Sequence, residues 1–190
     1  MKGMLLISGG FDSPVAGYLL KQKGAEIIPI HFSYEPFTDN GPEIKSREAV
    51  KILGFKDLIV KNISKECEKI AKKCIHKYYF VLIKRIMLRI AEEEAKKHEC
   101  AFLITGENLS QVSSQTLKNL YVITKAVNIK VLRPLLTYDK TEIIKITKQI
   151  GTYDISIGPE VCDVLGPKHP ATNCDLEDIQ KEEIKLKEQM

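Results

Sequence analysis

The first apolar run of the chain, Met4-Leu5-Leu6-Ile7, stops directly on Ser8-Gly9-Gly10-Phe11-Asp12-Ser13, and Pro14 follows. A short unbroken apolar run reads as a strand buried on both faces. The paired glycines permit a tight turn, and Pro14 suits the first turn of a helix, where a missing N–H costs little. Val15, Leu19 and Leu20 then recur at helical spacing, and Gly24 stands where a C-terminal cap is expected. A strand that must be covered on both faces, followed at once by a helix, constrains the chain to an α/β architecture with a mostly parallel sheet.

The later pattern agrees. Strands are expected at 26–32, 58–60, 101–104 and 129–132, with Pro29 favouring an edge position or an irregularity in the first of these. Helices are expected at 44–53, over 66–97 with a break around His76 to Tyr79, at 113–127, and at 139–150, the last closed by Gly151. Residues 33–41 are rich in turn formers and read as a loop at the carboxyl end of the second strand. Periodicity is lost from Gly151 to Asn173. With 190 residues, 44% of them hydrophobic, the chain can bury one substantial core. One domain over residues 1–175 is therefore expected, with 176–190 as a charged C-terminal helix.

The 29 basic and 25 acidic residues leave a formal charge of +4, which permits contact with nucleic acid without demanding it. No secretory signal and no apolar run long enough to cross a bilayer is present, so no membrane partner is expected. Five cysteines, at positions 67, 74, 100, 162 and 174, form an odd and scattered set that suits reduced thiols in a soluble cytoplasmic protein.

The turn at Ser8 to Ser13 lies between a strand and a helix, where backbone N–H groups and the helix dipole converge on an anion. Gly9 and Gly10 let the main chain approach phosphate oxygens, Ser8 and Ser13 can add hydroxyl donors, and Asp12 suits a magnesium ion held through a nucleotide. A lone Gly-Gly could merely join two elements, but here the full string has the structural context a phosphate turn needs. It lacks both the Gly-Lys-Ser/Thr ending of a Walker loop and the Gly-x-Gly-x-x-Gly spacing of dinucleotide folds. The string resembles that of the PP-loop ATP pyrophosphatases. That resemblance implies an adenine nucleotide alpha hydrolase-like (HUP-type) three-layer sandwich with a mostly parallel five-stranded sheet. It also implies cleavage of ATP between its α and β phosphates, with adenylation of an oxygen.

A second polar string, Thr105 to Leu117, follows the fourth expected strand and is longer than a routine connection. It resembles the matching segment of the tRNA 4-thiouridine synthetase (ThiI) family, as do Ser8 to Ala16, Leu132-Arg133-Pro134-Leu135 near Asp139-Lys140, and Ile150 to Ser156. The likeness runs over nearly the whole chain. It implies an ATP site lined by Leu6, Ile7, His31, Phe32, Gly106 and Gln115, with Lys84 or Arg85 adding positive charge, beside the turn residues Ser8, Gly9, Gly10, Asp12 and Ser13 and the neighbouring Thr105 and Glu107.

By spacing alone Lys140 reads as a surface lysine beside an acidic neighbour; by resemblance it neutralises phosphate charge as the bond to pyrophosphate breaks. Cys67, Cys74 and Cys100 read as small packing residues. Cys162 lies in the irregular stretch and, by resemblance, handles sulfur. Cys162 and Cys174, with His169 between them, could ligate a metal or part of an iron–sulfur cluster, but no Cys-x-x-Cys pair supports one.

The resemblance therefore implies a cytoplasmic ATP- and Mg2+-dependent tRNA uridine 4-sulfurtransferase, in which Asp12, Lys140 and Cys162 are catalytic. The family joins its PP-loop domain to a THUMP-containing RNA-binding region and, in some members, to a rhodanese domain. This chain is expected to stand alone, so tRNA capture would fall to its own surface, a separate RNA-binding protein or a homodimer. Sulfur would come from a donor protein or from sulfide. A PP-loop enzyme that adenylates a small carbonyl or carboxylate substrate, and a non-catalytic ATP-binding subunit, are the two competing readings.

Overall fold

A computed structural model describes residues 1–109, 115–158 and 165–187. In chain order it contains β1 (Lys2–Leu6), α1 (Asp12–Gln22), β2 (Glu26–Ser33), α2 (Gly41–Leu53), β3 (Ile59–Asn62), α3 (Ser64–Lys73), a 3-10 turn (His76–Tyr78), α4 (Tyr79–Lys97), β4 (Phe102–Ile104), α5 (Leu117–Thr124), β5 (Lys130–Leu132), α6 (Lys140–Gln149), the short α7 (Tyr153–Ser156) and α8 (Leu176–Lys187). The five strands are parallel in the order β3-β2-β1-β4-β5.

Alternation along the strands sorts side chains into two cores. Met4, Ile28, Ile30, Phe32 and Leu103 face one side, where Ile70 of α3, Leu82 and Leu88 of α4, Val122 and Ile123 of α5, and Ile179 of α8 cover them. Leu5, Ile7, Ile27, Phe102 and Ile104 face the other, under Val15 and Ala16 of α1, Ala49 and Val50 of α2, and Ile143 of α6. The result is the three-layer α/β sandwich that the first strand's two-sided burial demanded.

Pro29 corrects one expectation. It lies in β2, which is flanked on both sides, and not at an edge. Pro29 pairs in register with Leu5, whereas the register with β3 begins only at Ile30 opposite Ile59. The strand therefore accommodates a residue with no N–H at a position where the β3 ladder has not yet started. The helix expected at 113–127 is shorter, running from Leu117 to Thr124 with Thr116 as its cap, its side chain accepting from the Asn119 amide; positions 113 and 114 lie outside the described residues.

The C-terminal helix is locked to the rest of the chain. Glu183 accepts from Arg85 at 2.7 Å and from Arg89 at 2.6 Å, and Arg85 also donates to the Val122 carbonyl. Burial by itself would push the Glu183 carboxyl up, but the two guanidinium groups outweigh it and hold it below the usual range. Breaking a buried pair leaves an uncompensated charge. Arg85→Met should therefore lower unfolding free energy by about 3 kcal/mol in urea at neutral pH; an unchanged midpoint would contradict this role for the pair.

Candidate active site

The strand order reverses beside β1: the chain builds outward through β2 and β3, then crosses back to place β4 against β1's other edge. Loops leaving β1 and β4 therefore diverge at the carboxyl end of the sheet, where open α/β folds bind ligands. The two loops touch. A Cβ added at Gly106, just after β4, would stand 2.7 Å from the Ser13 amide nitrogen and 2.9 Å from the Asp12 carbonyl carbon. Only a glycine fits against the first turn of α1 there.

Within the β1 turn, Ser13 Oγ accepts from the Ser8 amide at 2.8 Å and lies 3.1 Å from Ser8 Oγ. Gly10 N reaches Ser8 Oγ only at 3.4 Å, and the amides of Gly9 and Phe11 donate to no acceptor among the described residues. Phe11 offers α1 no side-chain cap. An anion set on this turn would satisfy amides that the protein leaves to the outside and would meet the positive end of the α1 dipole. Gly9 also has a packing reason, since its Cβ would meet Lys45 and Pro42 of α2 at 3.1 and 3.2 Å.

Beneath the turn, Leu6 is half-buried and Ile7 buried. His31 is buried, its Nδ1 lying 3.1 Å from both the Ile7 carbonyl and Ser46 Oγ, while Ser46 Oγ donates to the Pro42 carbonyl at 2.8 Å. Because the Ser46 proton is committed to Pro42, Nδ1 carries the ring hydrogen and Nε2 is left as an acceptor. Burial lowers the ring's pKa more than the Ile7 carbonyl raises it, so the imidazole is neutral at physiological pH. Phe32 places its ring in the core, and what it can offer the site is its backbone.

On the β4 side, Glu107 is the centre of a charged trio. Its Oε1 accepts from Lys84 at 2.9 Å, and its Oε2 from Arg133 Nε at 2.7 Å and Thr105 Oγ1 at 3.1 Å. Desolvation alone would raise this buried carboxyl, but Lys84 and then Arg133 overcome it and push it down to about 2. Two cations against one carboxylate leave the trio with net positive charge, and Arg133 Nη2 is buried with no partner among the described residues. Of the two cations expected at the site, Lys84 reaches it, while Arg85 is 2% exposed and committed to α8. Gln115 folds back so that its Oε1 accepts from the Asn108 amide at 2.7 Å.

Lys140 opens α6. Asp139 caps that helix, accepting from the Glu142 amide at 2.8 Å while Glu142 accepts from the Asp139 amide at 2.9 Å. The neighbouring carboxylates are thus engaged in capping, and Lys140 Nζ extends over Phe11 of the turn, 5.8 Å from the ring centroid. Phe11 in turn packs on Tyr153 at 5.7 Å. Cys162 lies outside the described residues. Cys174 is fully buried in the α4/α8 core, where desolvation pushes its thiol up, and no cluster of three or more metal-ligating side chains forms among the described residues.

Arg133, Ser46 and Lys45 were not singled out by the sequence reading. Arg133 stood inside the string Leu132 to Leu135, and its place just past the end of β5 was the available signal.

A family model described as "ThiI: Thiamine biosynthesis protein (ThiI)" matches residues 1–187. A protein named "Probable tRNA sulfurtransferase" from Moorella thermoacetica is 42% identical over 191 residues, which is 97% of this chain and 49% of that protein. One of the same name from Halothermothrix orenii is 42% identical over 192 residues, covering 98% and 48%. The chain thus spans about half the length of the curated relatives it matches. A solved structure described as a 4-thiouridine synthetase–RNA complex with bound ATP superposes with a TM-score of 0.92 at 39% identity, over 98% of this chain and 50% of that one. The NH3-dependent NAD synthetase from Campylobacter jejuni, at 15% identity, TM-score 0.63 and coverage of 82% and 66%, shares the fold.

Glu107→Gln should cost about 2 kcal/mol at pH 7, since two partly buried cations lose their counter-charge. Because the folded-state carboxyl sits below its ordinary value, its stabilisation is complete above about 4.5 and fades as pH falls toward about 2. Urea titrations should therefore show the gap between wild type and variant narrowing through that window; a gap constant with pH would contradict the trio's charge assignment.

Proposed function

Because the chain belongs to the ThiI family, we propose that it is a cytoplasmic ATP-dependent tRNA sulfurtransferase that converts a uridine to 4-thiouridine. The geometry at residues 8–13 carries this assignment: a glycine turn whose outward amides, uncapped α1 N-terminus and two serine hydroxyls suit a triphosphate's charge. In this reading ATP is the substrate of the turn, supported by Lys140 over Phe11 on one side and the Lys84–Glu107–Arg133 trio at the mouth of β4 and β5. His31 Nε2, held as an acceptor by the Ile7 and Ser46 contacts, suits an adenine amino group.

In the first step the uridine C4 oxygen attacks the α-phosphorus and pyrophosphate departs. Lys140 neutralises the charge that accumulates on the leaving oxygens. In the second, a sulfur nucleophile adds at C4 and AMP leaves with the former carbonyl oxygen. Sulfide completes this by losing its protons; the outer sulfur of a Cys162 persulfide would instead form a C4–S–S–Cys162 disulfide, which a thiol of the donor attacks at the Cys162 sulfur, freeing 4-thiouridine and leaving a Cys162–donor disulfide for an external dithiol to reduce. Asp12 would be the residue to hold a magnesium ion, which would offset negative charge on the triphosphate. The tRNA is held by this chain's own surface, by a further RNA-binding part or protein, or across a homodimer, and sulfur is supplied by a donor protein or by sulfide.

Purified protein incubated with ATP, Mg2+, sulfide and unthiolated tRNA should yield AMP and 4-thiouridine in equal amounts by mass spectrometry. Lys140→Ala should slow both by about 10²-fold. AMP formed with a small carboxylate and not with tRNA, or ATP bound without any AMP, would overturn the proposal.

A further inference from the structure

Lys45, on the first turns of α2, has no part in the chemistry above, yet it touches both ends of the site. Its stem lies across the phosphate turn: a Cβ on Gly9 would meet Lys45 Cβ at 3.1 Å and Cδ at 3.2 Å. Its ammonium, two bonds beyond that Cδ, donates at 2.8 Å to the Ile157 carbonyl, and a Cβ on Gly158 would stand 3.0 Å from Nζ. Ser156 Oγ donates to the Gly10 carbonyl at 3.5 Å, so residues 156–158 meet the turn directly at Gly10 and, through Lys45, beside Gly9.

Unlike Lys84, Arg85 and Arg133, Lys45 has no carboxylate within ion-pair range among the described residues; Glu43 on the same helix is taken by Arg47 at 2.8 Å. A solvent-exposed ammonium whose stem lies against the turn, held only by a neutral carbonyl, exchanges that partner for a phosphate oxygen readily, because a charge-assisted bond to phosphate is the stronger. Lysine's flexible stem and three donors allow the exchange, and glycine at both 9 and 158 leaves the swing unobstructed.

We propose that Lys45 is a latch: it fastens Ile157 to α2, and a triphosphate on the turn draws its ammonium to the β and γ phosphates and releases residues 156–158. Nucleotide binding is thereby coupled to residues 156–158. The latch rests on the assignment of ATP to the turn.

Isothermal titration of ATP, AMP and inorganic pyrophosphate into wild type, Lys45→Met and Lys45→Arg separates the two. Met keeps the stem against Gly9 and removes the charge. Lys45→Met should weaken ATP and pyrophosphate roughly tenfold and leave AMP unchanged, with Lys45→Arg close to wild type. Hydrogen exchange across residues 153–158 should rise on pyrophosphate binding in wild type; in Lys45→Met it should be high throughout and unresponsive. Equal loss of ATP and AMP, or undiminished ATP binding by Lys45→Met, would overturn the latch alone. A wild type that bound none of the three ligands would overturn the ATP assignment and the latch with it.

Discussion

The contact between Gly106 and the start of α1 fixes the geometry on which the site depends. The loop after β4 can lie against Ser13 only because residue 106 has no side chain, since the nearest obstacle is backbone and cannot step aside. That contact closes the crevice opened by the reversal of strand order at β1 and β4. It brings a helix N-terminus from one half of the sheet beside a charged trio from the other. The remaining site residues are arranged around this junction: His31 below it from β2, Lys140 above it from α6, and Lys45 beside it from α2.

The electrostatics are graded across the junction. Glu107 is ionised well below neutrality because Lys84 and Arg133 share it, so the trio is fixed in charge and held in position. His31 is kept neutral by burial and kept in one tautomer by Ser46. Lys140 and Lys45 are different, because neither is paired to a carboxylate among the described residues. A site that fixes two cations on an internal counter-charge and leaves two others without a carboxylate partner among the described residues is suited to a ligand whose negative charge is redistributed when a phosphate bond breaks.

Much of this was legible before the structure. Unbroken apolar runs separated by helical periodicity gave the parallel sheet, and the strand–glycine–helix string marked the turn proposed to receive an anion, because both signals are local. Pro29 misled because its tolerance depends on where β3 begins, a register fact absent from the sequence around it. Lys84 and Arg85 were indistinguishable as neighbours on one helix, and the choice between them is made by what α8 and the β4 loop place opposite each. Arg133, Ser46 and Lys45 act through partners 26, 15 and 112 positions away, and spacing carries no trace of such contacts.

On this reading the amides of the Gly9-Gly10 turn receive the phosphates of a nucleotide. A crystal structure of the protein with an α,β-methylene analogue of ATP tests it directly. β and γ phosphate oxygens are expected within hydrogen-bond distance of the Gly9 and Phe11 amides, with the adenine near His31. Phosphates bound at another edge of the sheet, with this turn unchanged, would contradict it.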